Sequence, residues 1–375
     1  MMKKILPAIL TIATLWATAL LTSCHDPIYE MISNEVELET NGIRGDIRSI
    51  VPFNNYIYCC NNMIYRKSAL ASYEGGGQNK QWREVSTSFT DGTITFLASD
   101  SSHIYALAVE WEADESEGEN LPYRAAIYCS SNGETWNRVS VPGVNLNDID
   151  EDDELVLFDN QMQSYSSGGT LSTGGRTAYF GFYDDSSETG KTFTLSGTSA
   201  TVGSGTSANT KYCKAAGDKF STFYAFAKKG SMYYWGKSGD DSIYWGSDPN
   251  TDSNSRDLDC GQIFSISVTS DHLLLGTATG IKRVPINSSG NITGGTADFR
   301  SENNALSILT GRVFTTYVLD STQPEGYTDE YAYQTIYGSV KNSSISFDEV
   351  GLYAYYRERN TWNRDGTDSS SSDGN

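Results

Sequence analysis

From Gly45 to about Asp365 this chain repeats one texture. Short runs rich in Ile, Val, Tyr, Phe and Trp are cut by clusters of Gly, Asn, Asp and Ser. Apolar and aromatic runs of strand length, bounded by turn formers, read as β-strands joined by tight connections. Sustained 3.6-residue periodicity is missing from this stretch, which excludes a helical or α/β domain. The 35 glycines and 24 tyrosines fit the same picture. Glycine supplies positive φ in turns, and tyrosine suits a half-buried pleated surface. The expected fold class is all-β.

Internal repeats narrow the architecture. Tyr56-Ile57-Tyr58-Cys59 reaches Ile64-Tyr65-Arg66 by the same spacing as Leu273-Leu274-Leu275-Gly276 reaches Ile281-Lys282-Arg283. Ile-Tyr recurs before a cysteine at Ile57-Tyr58-Cys59 and Ile127-Tyr128-Cys129. Thr135-Trp136-Asn137-Arg138 returns letter for letter as Thr361-Trp362-Asn363-Arg364. A period near 40–50 residues is the mark of propellers. The approximate units are 45–90, 91–143, 144–205, 206–258, 259–302 and 303–365, the third with a Gly/Ser/Thr-rich insertion. The alternative architecture is a pair of β-sandwiches. A stretch of about 320 residues exceeds one ordinary sandwich and fits one propeller of four-stranded blades. The expectation is a β-propeller of six or seven blades over residues 45–365, with a Ser/Asp-rich tail at 366–375.

Two segments carry a recognisable turn. Ser186-Ser187-Glu188-Thr189-Gly190-Lys191-Thr192-Phe193 resembles the Asp-box of sialidase-like propellers, with Glu in place of Asp. Ser130-Ser131-Asn132-Gly133-Glu134-Thr135-Trp136 resembles its shortened form, with Asn for Asp, and Thr361-Trp362 an eroded one. Asn-Gly gives the positive φ of a tight hairpin, the short polar side chain holds turn amides, and the aromatic packs between sheets. The resemblance implies a place on the outer hairpin of a blade, so these residues mark fold and not chemistry.

The first 23 residues read as a secretory signal. Lys3 and Lys4 form a charged start, and Ile5 to Leu21 an apolar run interrupted by Pro7 and three threonines. That run is short for a spanning helix, which needs roughly 20 apolar residues. Leu21-Thr22-Ser23-Cys24 resembles the lipobox of bacterial lipoproteins. The resemblance implies lipidation at Cys24 and attachment to a membrane of the cell envelope, at the outer membrane or a periplasmic face. Residues 24–44 would be the lipidated cysteine and a tether. Cys24-His25-Asp26-Pro27-Ile28-Tyr29, followed by a short acidic stretch, also resembles the start of spirochaete-type propeller lipoproteins.

Charge bounds the partners. Losing Lys3 and Lys4 with the signal leaves 25 basic against 47 acidic residues, a net charge of −22. Such a surface repels nucleic acid and anionic membrane surfaces. Six carboxylates fall in Glu110 to Glu119 and six in Asp148 to Glu154, both read as loops. Asp148, Asp150, Asp152 and Asp159 offer a weak calcium pattern, but the position that calcium loops give to glycine is Asp153, so a solvated acidic loop is favoured. No metal or cofactor is expected. The five cysteines other than Cys24 match no zinc spacing and read as small buried residues, with room for one disulfide. His272, beside Asp271, reads as an exposed turn residue.

No catalytic constellation stands out. A sialidase would need three arginines on a carboxylate, and nothing distinguishes Arg44, Arg48, Arg66 and Arg83. The aromatic cluster Tyr233-Tyr234-Trp235 with Tyr244-Trp245 reads as packing between blades before it reads as a stacking platform. The expected function is a membrane-anchored, non-catalytic propeller for a protein or glycan partner. The alternative is a glycoside hydrolase of sialidase type.

The anchor reading is directly testable. Each buried CH₂ of an acyl chain is worth about 0.8 kcal/mol, and two or more chains give stable attachment. Cys24→Ala should abolish palmitate incorporation and move the protein from the detergent phase to the aqueous phase, with an unchanged thermal melt. A mutant that stays membrane-bound, or still takes up palmitate, would mean that residues 1–23 form an uncleaved anchor.

Overall fold

Turn residues set the strand boundaries. The computed structural model describes residues 43, 45 and 47–364, except 69–81, 90–91, 115–118, 160–163, 166–170, 173–174, 188, 203–224, 238–239, 248–253, 270, 299–311, 321–333, 341–350 and 357–360. Cys24, the signal, most of the tether and the tail 366–375 lie outside the described residues. The first sheet is a meander of β1 (Ile50–Phe53), β2 (Tyr56–Asn61), β3 (Met63–Ser68) and β4 (Arg83–Glu84). Its first turn places Asn54 and Asn55 at φ 47° and 62°, the left-handed pair that a two-residue hairpin demands. The second sheet holds β5 (Thr93–Ser99), β6 (Ile104–Asp114), β7 (Glu119–Ser130) and β8 (Asn137–Arg138). The third begins with β9 (Glu154–Asp159). A separate ribbon of β10 (Ser164–Tyr165) and β11 (Leu171–Ser172) follows, at the predicted insertion. The sheet then resumes with β12 (Ala178–Asp184), β13 (Thr189–Ser196) and β14 (Ser199–Val202).

The fourth sheet is β15 (Phe226–Lys229), β16 (Met232–Trp235), β17 (Ser242–Gly246) and β18 (Asn254–Asp257). The fifth is β19 (Ile263–Val268), β20 (His272–Thr277), β21 (Gly280–Pro285) and β22 (Ala297–Asp298). The last is β23 (Val313–Asp320), β24 (Gln334–Val340), β25 (Gly351–Tyr356) and β26 (Thr361–Arg364). Among the described residues there are thus six four-stranded sheets. Each lies within one of the units read from the sequence.

Burial follows strand position. β1 and β20 are buried along their whole length and β19 nearly so, whereas β8 and β18 are largely exposed. A strand covered on both faces reads as a continuous apolar run, which is why these stretches do not alternate. The core lies between neighbouring sheets. Leu107 and Ile127 of the second pack with Leu157, Phe180 and Phe193 of the third. Tyr317 and Leu352 of the last pack with Ile57 and Cys59 of the first. β1, β5, β9, β15, β19 and β23 all line one central cavity. Sheets that share an axis at their first strands and pack face to face make a β-propeller.

Several expectations need correction. The folded body starts before residue 45: Ile43 and Ile47 are buried in the core, and the Ile43 carbonyl accepts the Leu352 N–H at 3.0 Å. Glu110 to Asp114 and Glu119 are not loop residues but extend the β6–β7 hairpin, the longest pairing among the described residues. His272 is buried, because the turn before it leads straight into the covered strand β20. Cys59, Cys60, Cys129 and Cys260 are buried, and no disulfide joins them among the described residues; Cys213 lies outside the described residues. Burial pushes the Cys60 thiol up to about 12 and that of Cys260 to about 11, so both stay protonated and inert.

The turn at 130–136 tests how far local geometry fixes the fold. Gly133 has φ +76°, and a Cβ placed there would lie 2.3 Å from the Tyr58 hydroxyl oxygen of the first sheet. Gly143 has φ +71° with nothing within 4 Å. Gly143→Ala should therefore cost about 1 kcal/mol of backbone strain. Gly133→Ala should cost about 2–4 kcal/mol, because overpacking adds to the same strain. Urea denaturation of the two variants checks the difference; equal losses would refute the contact.

Candidate functional site

The longest hairpin among the described residues also exposes an indole. β6 and β7 pair from Ile104↔Ser130 outward to Asp114↔Glu119, with a register shift between Glu110 and Trp111. A bulge of this kind re-aims the side chains beyond it. Trp111, opposite Pro122, is left 46% exposed. It forms one wall of a groove of about 630 Å³. Arg48, Asn61, Asn62, Thr93 and Thr95 supply polar groups, Arg48 lining the central cavity as well, and the buried Ile94 completes the lining with Gly45.

Each wall is held by a local device. Asn62 is the single residue between the paired Asn61 and Met63, and it sits at φ 58°, a left-handed position that asparagine tolerates. Its carbonyl accepts the Ile94 N–H at 3.1 Å, which pins the β2–β3 turn to the start of β5. The Arg48 guanidinium carbon lies 5.5 Å from the Phe96 ring centroid, a cation–π contact that orients the side chain. Among the described lining residues Arg48 is the one charged group, on a protein that is strongly acidic overall.

The ring centre is different. The central cavity measures about 70 Å³ and is lined by Phe96, Leu97, Phe226 and Phe314 among others. Ligand sites run to roughly 300–1,000 Å³, so this space holds a few waters at most. Asp159, at the end of β9, has both carboxylate oxygens engaged. Arg176 reaches one at 2.9 Å, and the Ser99 N–H donates to the other at 3.1 Å. The side chains of Arg176 and Asp159 are 1% and 3% exposed. The three-arginine set of a sialidase is not assembled among the described residues of this cavity.

The weak calcium pattern does not come together either. Among the described residues no group of three or more His, Cys, Asp or Glu is placed to hold a metal ion. Asp159 lies in its ion pair, apart from the turn that carries Asp148, Asp150 and Asp152. That turn is organised by Asp153, whose carboxylate accepts N–H groups from Asp150 and Asp185, each at 3.0 Å. His272 bonds Asp271 across 2.6 Å. Burial alone would raise the Asp271 carboxyl, but the imidazole and the Thr269 hydroxyl hold it below its ordinary value.

The box-like segments occupy different places. Between β7 and β8 the Ser130 hydroxyl accepts the Gly133 N–H at 2.8 Å, and the Asn132 side-chain oxygen accepts Glu134 and Thr135 N–H at 2.9 and 2.8 Å. Trp136 is buried against Phe89, with ring centroids 5.8 Å apart, in a cluster that joins the first two sheets. Ser186, Gly190, Thr192 and Phe193 instead belong to the β12–β13 connection and strand, between second and third strands. That turn is built on Asp184, which takes the Ser186 hydroxyl and the Ser187 N–H; Glu188 lies outside the described residues. Thr361 and Trp362 open β26, so the exact Trp-Asn-Arg repeat marks the outer strand of two sheets. The aromatic cluster is packing: Tyr234, Trp235 and Trp245 are buried. Trp111, inside an acidic run, gave no such sequence signal.

Six four-stranded sheets around a cavity lined by their first strands define a β-propeller protein. The chain matches the TP013X lipoprotein family over residues 2–344 and belongs to it, which makes it a propeller lipoprotein and places it with membrane-anchored envelope proteins. No curated protein matches its sequence significantly. Solved structures with a similar course include a luciferin-regenerating enzyme, at 10% identity over 85% of this chain and 92% of that one, with a TM-score of 0.44. A chain of the nidogen/laminin complex matches at 10% identity, 84% and 93% coverage and a TM-score of 0.43. A PQQ-bound aldose sugar dehydrogenase from Streptomyces coelicolor does so at 11%, 84%, 92% and 0.40. Likenesses this distant transfer neither ligand nor chemistry. Among the described residues no helix is long and apolar enough to cross a membrane.

Proposed function

We propose that this lipoprotein is a six-bladed, non-catalytic binding propeller. Acyl chains on Cys24 hold it to the cell envelope, and it takes a protein or glycan at one end of the ring. The observation that carries the reading is the contrast between a centre of about 70 Å³ and a groove of about 630 Å³ beside Trp111. Rigid scaffolds commonly present binding residues on the loops and strand ends that they position. Six blades follow if each four-stranded sheet counts as one, and the 130–136 turn then acts as the Asp-box of the second. The hydrolase alternative finds no free acid among the described residues of the centre, since Asp159 is taken up by Arg176 and the Ser99 amide.

The test uses the mature chain with Cys24→Ala, immobilised and exposed separately to purified envelope polysaccharides and envelope proteins, with a panel of fluorogenic glycosides run in parallel. Saturable retention of at least one fraction and no turnover is the expected result. Turnover of any glycoside above blank, or retention of nothing, would overturn the reading.

A further inference from the structure

We infer that the groove beside Trp111 is a saccharide site, with the indole as the stacking face and Arg48, Asn61 and Asn62 as the hydrogen-bonding wall. The inference rests on the binding role proposed above and names its ligand class. A pyranose ring has an apolar C–H face and a rim of hydroxyls. It needs a flat apolar surface on one side and planar, multidentate polar groups on the other. Trp111 supplies the first: 46% of it is exposed, and it is held opposite Pro122 on the β6–β7 hairpin, just past the bulge. A preorganised aromatic loses little entropy on binding. The amides of Asn61 and Asn62 each carry a donor and an acceptor group, and a guanidinium presents a donor fork that suits neighbouring hydroxyls or a carboxylate. Thr93 adds a hydroxyl, while that of Thr95 donates to the Leu107 carbonyl at 3.4 Å and is left as an acceptor, and about 630 Å³ is the volume of a small-molecule site.

The same features disfavour the other classes. A peptide bound by strand addition needs a free strand edge. Here the turn and the start of β5 already bond each other through Asn62 and Ile94. A peptide docked by its side chains needs several apolar anchor points, yet the groove offers only one exposed apolar side chain among its described residues. Nucleotides and nucleic acid want clustered cations, whereas Arg48 is the one cation among the described lining residues, and Arg124 on the neighbouring hairpin is paired with Glu110 at 4.0 Å. Tyr56, Met63 and Val202, the other large exposed apolar side chains among the described residues, line neither this groove nor the central cavity.

The experiment is an array of short oligosaccharides, neutral and uronic-acid-bearing, probed with the mature Cys24→Ala chain, and calorimetric titration of each hit. Binding of at least one saccharide is expected. Trp111→Ala should weaken it at least about tenfold with an unchanged thermal melt, as the loss of one aromatic stacking face implies. Val202→Ser, a change at an exposed apolar residue of β14, should leave affinity unaltered. Arg48→Gln should weaken uronic-acid hits more than neutral ones if a carboxylate is read, and both alike if only hydroxyls are. If Trp111→Ala fails to fold, Trp111→Phe decides: retained affinity supports the stacking face, and full loss with an intact melt overturns it. No hit on the array, or a hit indifferent to Trp111→Ala, also overturns the inference. A purified envelope protein that binds through Trp111 while no saccharide does would sink the saccharide class and leave the binding role standing.

Discussion

A four-stranded sheet has two unpaired edges, and in this protein the inner one faces the centre of the ring. Backbone N–H and C=O groups buried there without partners would each cost about 1–3 kcal/mol. The structure answers with side chains that cross the seams between sheets. Ser49 accepts the Leu97 N–H at 3.0 Å, and the Ser99 hydroxyl donates to the Pro52 carbonyl at 2.9 Å, joining the first sheet to the second. Asp159 accepts the Ser99 N–H and joins the second to the third. The Ser267 hydroxyl donates to the Thr316 carbonyl at 2.7 Å, and that of Thr315 to Ile47 at 2.9 Å, tying the last sheet to the fifth and to the first. Small hydroxyl side chains suit this task because they reach a neighbouring backbone without holding the sheets apart.

Asp159 is the one charge in that belt, and its cost is offset locally. A buried carboxylate is tolerable when it is paired and hydrogen-bonded, and removing one partner of such a pair costs about 3–5 kcal/mol. Arg176 and the Ser99 amide supply those partners. The result is a narrow centre, lined by Phe96, Phe226 and Phe314 together with Arg48, the seam hydroxyls and Asp159. The bulged β6–β7 hairpin places Trp111 beside Asn61, Asn62 and Thr93 in the wider groove.

Much of this was legible in the sequence, for physical reasons. Strand and turn preferences are local, so the unit boundaries fell where the sheets lie. The Trp-Asn-Arg repeat was informative because both copies occupy an outer strand in the same pairing direction, Asn137 opposite Cys129 and Asn363 opposite Ala354. The Ile-Tyr-Cys repeat misled, since one copy is on a second strand and the other on a third. Ser186 to Phe193 shared letters with a turn but not its position, because a box motif does not encode which strands it joins. The groove stayed invisible: Arg48, Asn61, Thr93 and Trp111 converge from two sheets, and Trp111 sat in an acidic run read as a loop although its residues pair across a hairpin. His272 was misplaced for the same reason, as its burial depends on the sheets that cover β20.

The central claim is that side-chain hydrogen bonds seal the inner edge where the first sheet meets the second, the second the third, and the last both the fifth and the first. Native-state hydrogen exchange resolved at the Leu97 and Ser99 amides measures it directly. Both amides are donated to side chains of neighbouring sheets and not to a strand partner on that edge. The account predicts that they exchange only through global unfolding, as slowly as the amides of the central strands. Exchange at the rate of exposed loop amides would contradict it, because the seams would then open without the rest of the protein.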